Sequence, residues 1–114
     1  MSKILSIVVP IRNEEQNLPF LRLEIETLKN ALAEIDISID LIVNDNASTD
    51  GSHDFLSAWS REVPWVRFFH FQVNRGFQGS IISGMREAKG DALVVLQGDL
   101  QDPPFLIIEF VKAW

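Results

Sequence analysis

The sequence predicts an α/β domain of three layers, a parallel sheet with helices on both faces. Three observations predict it. Strand-like runs alternate with helical periods in the order β-α-β-α-β-α-β-α, a pattern built from right-handed crossovers between parallel strands. Two of the runs, residues 4–10 (ILSIVVP) and 92–96 (ALVVL), are almost wholly apolar, as strands covered on both faces are. And 114 residues hold at most one domain, with no repeat, low-complexity stretch or Gly/Ser linker to divide it.

Each element follows from its own pattern. After the first strand, Leu18, Leu21, Ile25, Leu28, Leu32 and Ile35 step by three and four, an apolar helical stripe. Residues 37–43 (ISIDLIV) and 66–73 (VRFFHFQV) read as strands of less pure composition, expected further from the sheet centre. Between them, residues 50–62 carry Phe55, Leu56 and Trp59 on a helical period. Residues 78–89 place Ile81, Ile82, Met85 and Ala88 on another, with Gly90 where a helix commonly ends. After the strand at 92–96, Asp102 before Pro103-Pro104 suits the opening of a fourth helix. Its apolar run, residues 105–114 (FLIIEFVKAW), is expected to belong to a longer protein or to pair with itself, so self-association is an expectation.

Composition excludes several functions. Ten basic against sixteen acidic residues give a net charge of −6, so neither nucleic acid nor anionic lipid is an expected partner through charge. The absence of cysteine removes disulfides, cysteine–zinc centres and thiol nucleophiles. No apolar run approaches the ~18 residues of a membrane span, and no tripartite leader pattern opens the chain. The expected setting is cytoplasmic.

In open α/β sheets, ligands bind beyond the carboxyl ends of the strands. The segments after the strands are polar here: Asn13-Glu14-Glu15, then Asn44-Asp45-Asn46-Ala47-Ser48-Thr49-Asp50, then Asn74-Arg75-Gly76, then Gln97-Gly98-Asp99-Leu100-Gln101-Asp102. Glu14, Asp45, Asp99 and Asp102 gathered at one edge repel one another unless a cation or open water screens them. Oxygen donors select hard cations such as Mg²⁺ or Mn²⁺, which commonly bridge to phosphates. The dinucleotide glycine fingerprint and the phosphate-loop lysine motif are both missing. The two histidines, His53 in a helical segment and His70 in a strand, read as structural.

These segments together resemble family 2 glycosyltransferases. Ser6-Ile7-Val8-Val9-Pro10 with Asn13-Glu14-Glu15 resembles the family's opening, and Asp45-Asn46-Ala47-Ser48-Thr49-Asp50 its D-D-G-S-T-D segment. Asn74-Arg75-Gly76 resembles the N-x-G turn and Gly90-Asp91-Ala92 the G-D before a strand. Asp99-Leu100-Gln101-Asp102-Pro103-Pro104 resembles the D-A-D-L-Q-D-P-P signature of polyprenyl-phosphate sugar transferases of the dolichol-phosphate mannose synthase type. The resemblance runs in order along the whole chain. It implies the GT-A fold with its Rossmann-like sheet, and a site for a UDP- or GDP-sugar.

By the same resemblance, Pro10 and Glu14 line the base and ribose pocket, and Asp45 accepts a hydrogen bond from the base. Asn13, Asn74, Gly76 and Gln97 belong to the same nucleotide-sugar-binding edge. Asp99, with Gln101, holds Mn²⁺ or Mg²⁺ against the diphosphate, where a Lewis acid stabilises the leaving group. The reaction implied is inverting transfer to an acceptor, with a polyprenyl phosphate at the cytoplasmic membrane face favoured by the last motif. Two departures stand out: Gln97 replaces the first aspartate of D-x-D, and Asn46-Ala47 replaces D-G. The acceptor half and its catalytic base are expected beyond Trp114, so the isolated chain is expected to bind rather than turn over. The alternatives are a non-catalytic nucleotide-sugar-binding fragment and a receiver-like Mg²⁺-binding signalling domain. The second lacks the strand-end aspartate and late lysine it would need.

Overall fold

The computed structural model describes residues 3–96. Strand β1 (Lys3–Ile11) leads to helix α1 (Leu18–Ala33), then β2 (Ile37–Asn46), α2 (Ser52–Glu62), β3 (Val66–Phe71), α3 (Gly76–Glu87) and β4 (Ala92–Val95). All pairings are parallel, in the order β3-β2-β1-β4. The chain winds outward from β1 to β3, then crosses back to lay β4 on the other side of β1. That reversal makes the crevice between the carboxyl ends of β1 and β4 the topological switch point. The fourth helix expected after Asp102 lies outside the described residues.

Strand periodicity sorts the two faces. Leu5, Ile7, Val9 and Ile11 of β1 with Ile37, Ile39, Leu41 and Val43 of β2 form one core with Leu18, Leu21, Ile25, Leu28 and Leu32 of α1 and Leu56 and Trp59 of α2. Ile35 drops out of the stripe and is exposed. Helix α1 stops at Ala33 because Asp36, at φ 62°, turns the chain into β2 while its amide still bonds Ala33 O.

The opposite face carries α3, and here the sequence expectation fails. The helix spans Gly76–Glu87 and buries Ser80 and Gly84, leaving Ile82 and Met85 exposed. A Cβ on Gly84 would lie 2.4 Å from Val8 Cγ1. The helix therefore sits closer to the sheet than an apolar stripe would permit, and Asn44 reaches across to donate its amide to Ser80 O at 2.7 Å. Gly90 is also not a left-handed helix end. Its place is explained by crowding, since a Cβ there would meet Ile4 O and Ser6 Oγ at 2.7 Å each.

Two strand expectations are corrected as well. Strand β2 lies inside the sheet and runs to Asn46, while β4, read as covered on both faces, is an edge strand among the described residues and only half-buried. Strand β3 ends at Phe71, because its partner Asn46 is the last paired residue of β2 and Gln72 and Val73 have nothing to pair with.

At the amino half of the sheet, on the α3 face, Asp40 anchors a closed polar network. Arg67 donates to it from Nε at 3.1 Å and from Nη2 at 2.9 Å, Ser6 Oγ donates at 2.8 Å, and the Lys89 amide donates at 3.0 Å. Ser6 Oγ accepts in turn from the Gly90 amide. Burial pushes the Asp40 carboxyl up, but these donors and the Arg67 charge outweigh it and hold the group below its ordinary value. The network pins the α3–β4 connection to β1 and β2.

Candidate functional site

The carboxyl edge of the sheet is assembled from three loops tied together by side chain-to-backbone hydrogen bonds. Asn13, at φ 54°, uses the left-handed conformation that asparagine tolerates. Its amide donates to Ser48 Oγ at 2.9 Å, and its Oδ1 accepts from the Thr49 amide at 2.7 Å. Next along the chain, the Glu14 amide donates to Ser52 Oγ and the Glu15 amide to Asp50 Oδ2, both at 3.1 Å. The β1–α1 and β2–α2 loops are thereby one unit. Glu14 Oε2 accepts from Asn17 Nδ2 at 2.7 Å, which fixes the side chain on the loop that opens α1.

Asp50 does two jobs in this unit. Its Oδ1 accepts from the Ser52 amide at 2.9 Å, satisfying an orphan donor at the start of α2, while Oδ2 holds Glu15. Burial raises the Asp50 carboxyl, but the bonds from Ser52 and Glu15 prevail and hold it below its ordinary value.

The third loop joins through Asn46. Its Nδ2 donates to Asn74 Oδ1 and its Oδ1 accepts from the Arg75 amide, each at 2.7 Å. Asn74 Oδ1 also accepts from the Gly76 amide at 2.8 Å, closing a tight turn. Gly76 has φ 74°, where a side chain costs about 1–2 kcal/mol. The Arg75 guanidinium stacks over Phe71, 4.1 Å from the ring centre.

Pro10 marks where β1 opens toward β4. The even-numbered residues of β1 bond to the β4 side: Ile4 O accepts from the Asp91 amide and Val8 O from the Leu96 amide. The missing N–H of Pro10 therefore falls on that side, past the last pair Val8↔Val95, and leaves the β1–β2 ladder intact.

Asp45 is the most enclosed of these groups, fully buried at the end of β2. Its Oδ1 accepts from the Ser48 amide at 3.1 Å, and its Oδ2 lies 2.7 Å from His70 Nδ1. The register explains the second contact, since Asp45 and His70 are partners across β2 and β3 and share a face. His53, near the start of α2, stacks edge-on against His70 with ring centres 4.4 Å apart. Asp45, His53 and His70 each offer a ligand atom, all within 4.8 Å of one another. Both histidines, read from sequence as structural, thus stand beside the carboxylate. The signal that finds His70 is the strand register and the one that finds His53 is the docking of α2, neither of which a single sequence displays.

Asn13, Glu14, Asp45, Asn74 and Gly76 therefore come together on one edge, beside Pro10. Gln97, Asp99, Gln101 and Asp102 lie outside the described residues. The last described residue, Leu96, bonds to Val8 and so stands at the switch point on the same edge. By residue type, the carboxylate of Asp99 and the carboxamide of Gln101 are oxygen donors of the kind that suits a hard divalent cation. Among the described residues no helix is long and apolar enough to cross a membrane.

Comparison with known proteins bears on both fold and family. A family model described as Glycosyl transferase family 2 matches residues 6–114. The uncharacterized glycosyltransferase YkcC of Bacillus subtilis is 37% identical over 109 residues, covering 96% of this chain and 33% of the relative. The undecaprenyl-phosphate 4-deoxy-4-formamido-L-arabinose transferase of Pseudomonas syringae is 34% identical over 112 residues, covering 96% and 32%. The chain thus spans about a third of the length of the curated relatives it matches. Among solved structures, the mannosyltransferase PcManGT of Pyrobaculum calidifontis, in complex with GDP-Man and Mn²⁺, superposes with a TM-score of 0.73 at 20% identity, over 90% of this chain and 34% of that one. S. aureus TarS 1-349 in complex with UDP gives 0.64 at 20% identity, over 99% and 32%. The described sheet is the parallel sheet of the GT-A fold.

Proposed function

We infer that this chain, which belongs to glycosyl transferase family 2, forms the donor-binding part of a metal-dependent, inverting transferase that takes a sugar from UDP- or GDP-sugar. The observation that carries the reading is the convergence of Pro10, Asn13, Glu14, Asp45 and Asn74 on the carboxyl edge beside the β1–β4 switch point, with the three loops bonded into one wall.

In this reading the base and ribose lie against the wall formed by Pro10, Glu14 and Asp45. Asp45 accepts an N–H from the base through a lone pair left over from Ser48 and His70. Its burial makes that hydrogen bond strong, because water does not compete. Asn74 and Gly76 shape the neighbouring turn so that backbone can approach the ligand. Asp99 and Gln101 would hold Mn²⁺ or Mg²⁺, which supplies charge neutralisation at the diphosphate when bound. Gln97, in place of a second carboxylate, leaves that site with one formal charge fewer, so weaker metal affinity than a D-x-D site is expected. The name of the Pseudomonas syringae relative, an undecaprenyl-phosphate sugar transferase, supports a polyprenyl phosphate as acceptor, and the cytoplasmic face of a membrane is the setting proposed with it. The acceptor half and the base that activates it belong to the rest of a longer protein.

Calorimetric titration of UDP and of GDP, with Mn²⁺ and then with chelator, tests the reading in wild type and Asp99→Ala. One nucleotide is expected to bind in a metal-dependent manner, and the Asp99→Ala protein is expected to lose that binding by at least about tenfold. A folded chain that binds neither nucleotide, with a longer parent protein that also binds neither, would sink it.

A further inference from the structure

The cluster around Asp45 has a chemistry that a nucleotide pocket does not require. Two imidazoles and one carboxylate come from three separate elements: Asp45 from β2, His53 from α2 and His70 from β3. Carboxylates and carboxamides suit Mg²⁺ and Mn²⁺, whereas imidazole selects the borderline metals, zinc among them. Two histidines and a carboxylate are also a common three-ligand set for zinc, the fourth position being left to water.

We propose that Asp45, His53 and His70 form a binding site for a borderline divalent transition-metal cation, with Zn²⁺ as the probe that reveals it.

Four observations support it. The ligand atoms lie within 4.8 Å of one another. Ligands around tetrahedral zinc stand about 3.4 Å apart, so the longest separation closes by about 1.4 Å, within reach of side-chain torsions. His53 Nδ1 is buried with no hydrogen-bond partner among the described residues, so no structural hydrogen bond through that nitrogen holds the imidazole against turning toward an ion. The Asp45–His70 contact is already made at 2.7 Å, and the proton shared there is the one a metal displaces. Finally, Phe68 lies against His53, with ring centres 5.4 Å apart, and gives the site an apolar wall that strengthens ligand bonds.

The site differs in donor chemistry from the oxygen site expected at Asp99 and Gln101, and it does not depend on the donor reading. A chain that binds no nucleotide can still bind zinc here. Occupation would tie up Asp45, so zinc and manganese are expected to act differently on the same protein.

Titration of Zn²⁺ and of Mn²⁺ into the full chain, in a non-chelating buffer near neutral pH, is followed by calorimetry and by the imidazole proton resonances. One equivalent of Zn²⁺ is expected to bind at least about tenfold tighter than Mn²⁺ and to move the signals of both histidines. His53→Gln and His70→Gln are each expected to weaken zinc by about tenfold or more, with folding checked by circular dichroism. Zinc binding no tighter than manganese overturns the proposal, and so does tight binding that leaves either imidazole unmoved. The resonance readout is made on the wild-type chain, so an unfolded variant does not spoil the test.

Discussion

Asp40 and Asp45 stand on the same strand and differ in nearly everything else. Five positions apart, they project from opposite faces of β2. Asp40 sits under α3 at the amino half of the sheet, and its partners Arg67, Ser6 and Lys89 leave it fully engaged. Asp45 sits at the carboxyl end against His70, whose side chain keeps 32% of its surface open to solvent. Beside it His53 Nδ1 has no partner among the described residues. A closed network of this kind holds a fold together. An incompletely satisfied one at the carboxyl edge of the sheet is available to a ligand.

Exchanging the two aspartates' roles by mutation gives the largest expected effects. Asp40→Ala takes from the mostly buried Arg67 guanidinium its close carboxylate partner and leaves it Glu87 alone, through the backbone O and a carboxylate oxygen 3.7 Å away. The loss is expected to be about 3 kcal/mol of unfolding free energy in denaturant titration, with nucleotide affinity of the folded fraction unchanged. Asp45→Asn keeps the acceptor for the Ser48 amide, and its NH2 donates to His70 Nδ1 once the imidazole carries its proton on Nε2, so it is expected to cost less than about 1 kcal/mol. Under the proposed function it nonetheless weakens nucleotide binding by about tenfold or more. Equal stability losses in the two variants would erase the distinction.

Gly90→Ala attacks the same closed network from the backbone. The new Cβ would meet Ile4 O and Ser6 Oγ at 2.7 Å and the Ser6 amide nitrogen at 2.8 Å, atoms held by the β1 ladder and by Asp40. About 2 kcal/mol of destabilisation is expected by thermal or chemical unfolding. Gly79→Ala, where the nearest contact is 3.1 Å from a side-chain atom of Arg75, is the control and should cost far less.

Acid sharpens the contrast next. The Asp40 and Asp50 carboxyls are both held below their ordinary value of 3.8, so in that range the unfolded chain binds more protons than the folded one. Their contribution to stability is complete above the unfolded value and drains away as pH falls from there through the folded value. Unfolding free energy measured from neutral pH downward is expected to fall on that limb. Asp40→Asn should flatten part of it, and a limb of unchanged slope in that variant would remove Asp40 as a source.

How far the sequence announces these features depends on how local each one is. The alternation of apolar strands and amphipathic periods is local, and it yields the parallel three-layer sheet and the polar residues after each strand. The apolar stripe of α1 is legible for the same reason. Helix α3 misleads because its contact face is made of Ser80 and Gly84, which hydropathy scores as nothing, while Ile82 and Met85 carry the stripe and face solvent. Sheet rank misleads for β2, since Ser38 and Asp40 interrupt the apolar run of residues 37–43, and the interior strand continues through the buried polar Asn44, Asp45 and Asn46. The histidines are illegible because His70 meets Asp45 only through the β2–β3 register, and His53 meets both only once α2 is docked.

The smallest expected effect tests the departure at Ala47, which stands where the resembled motif has glycine. Ala47 has φ 59° and its amide bonds Asp45 O at 3.0 Å, so the turn that presents Asp45 runs through a left-handed alanine. That conformation costs an alanine about 1–2 kcal/mol. Glycine removes the strain but loses about 0.4–1 kcal/mol through the greater freedom of its unfolded chain. Ala47→Gly is therefore expected to stabilise by about 0.5 kcal/mol, read as a small rise in the denaturant midpoint at constant slope. Because the Ser48 amide next in the chain donates to Asp45 Oδ1, the same variant loosens or preserves the carboxylate's aim. A midpoint that rises with zinc and nucleotide affinities unchanged means the strain only shapes the turn. A midpoint that rises while either affinity falls means the alanine holds Asp45 in place.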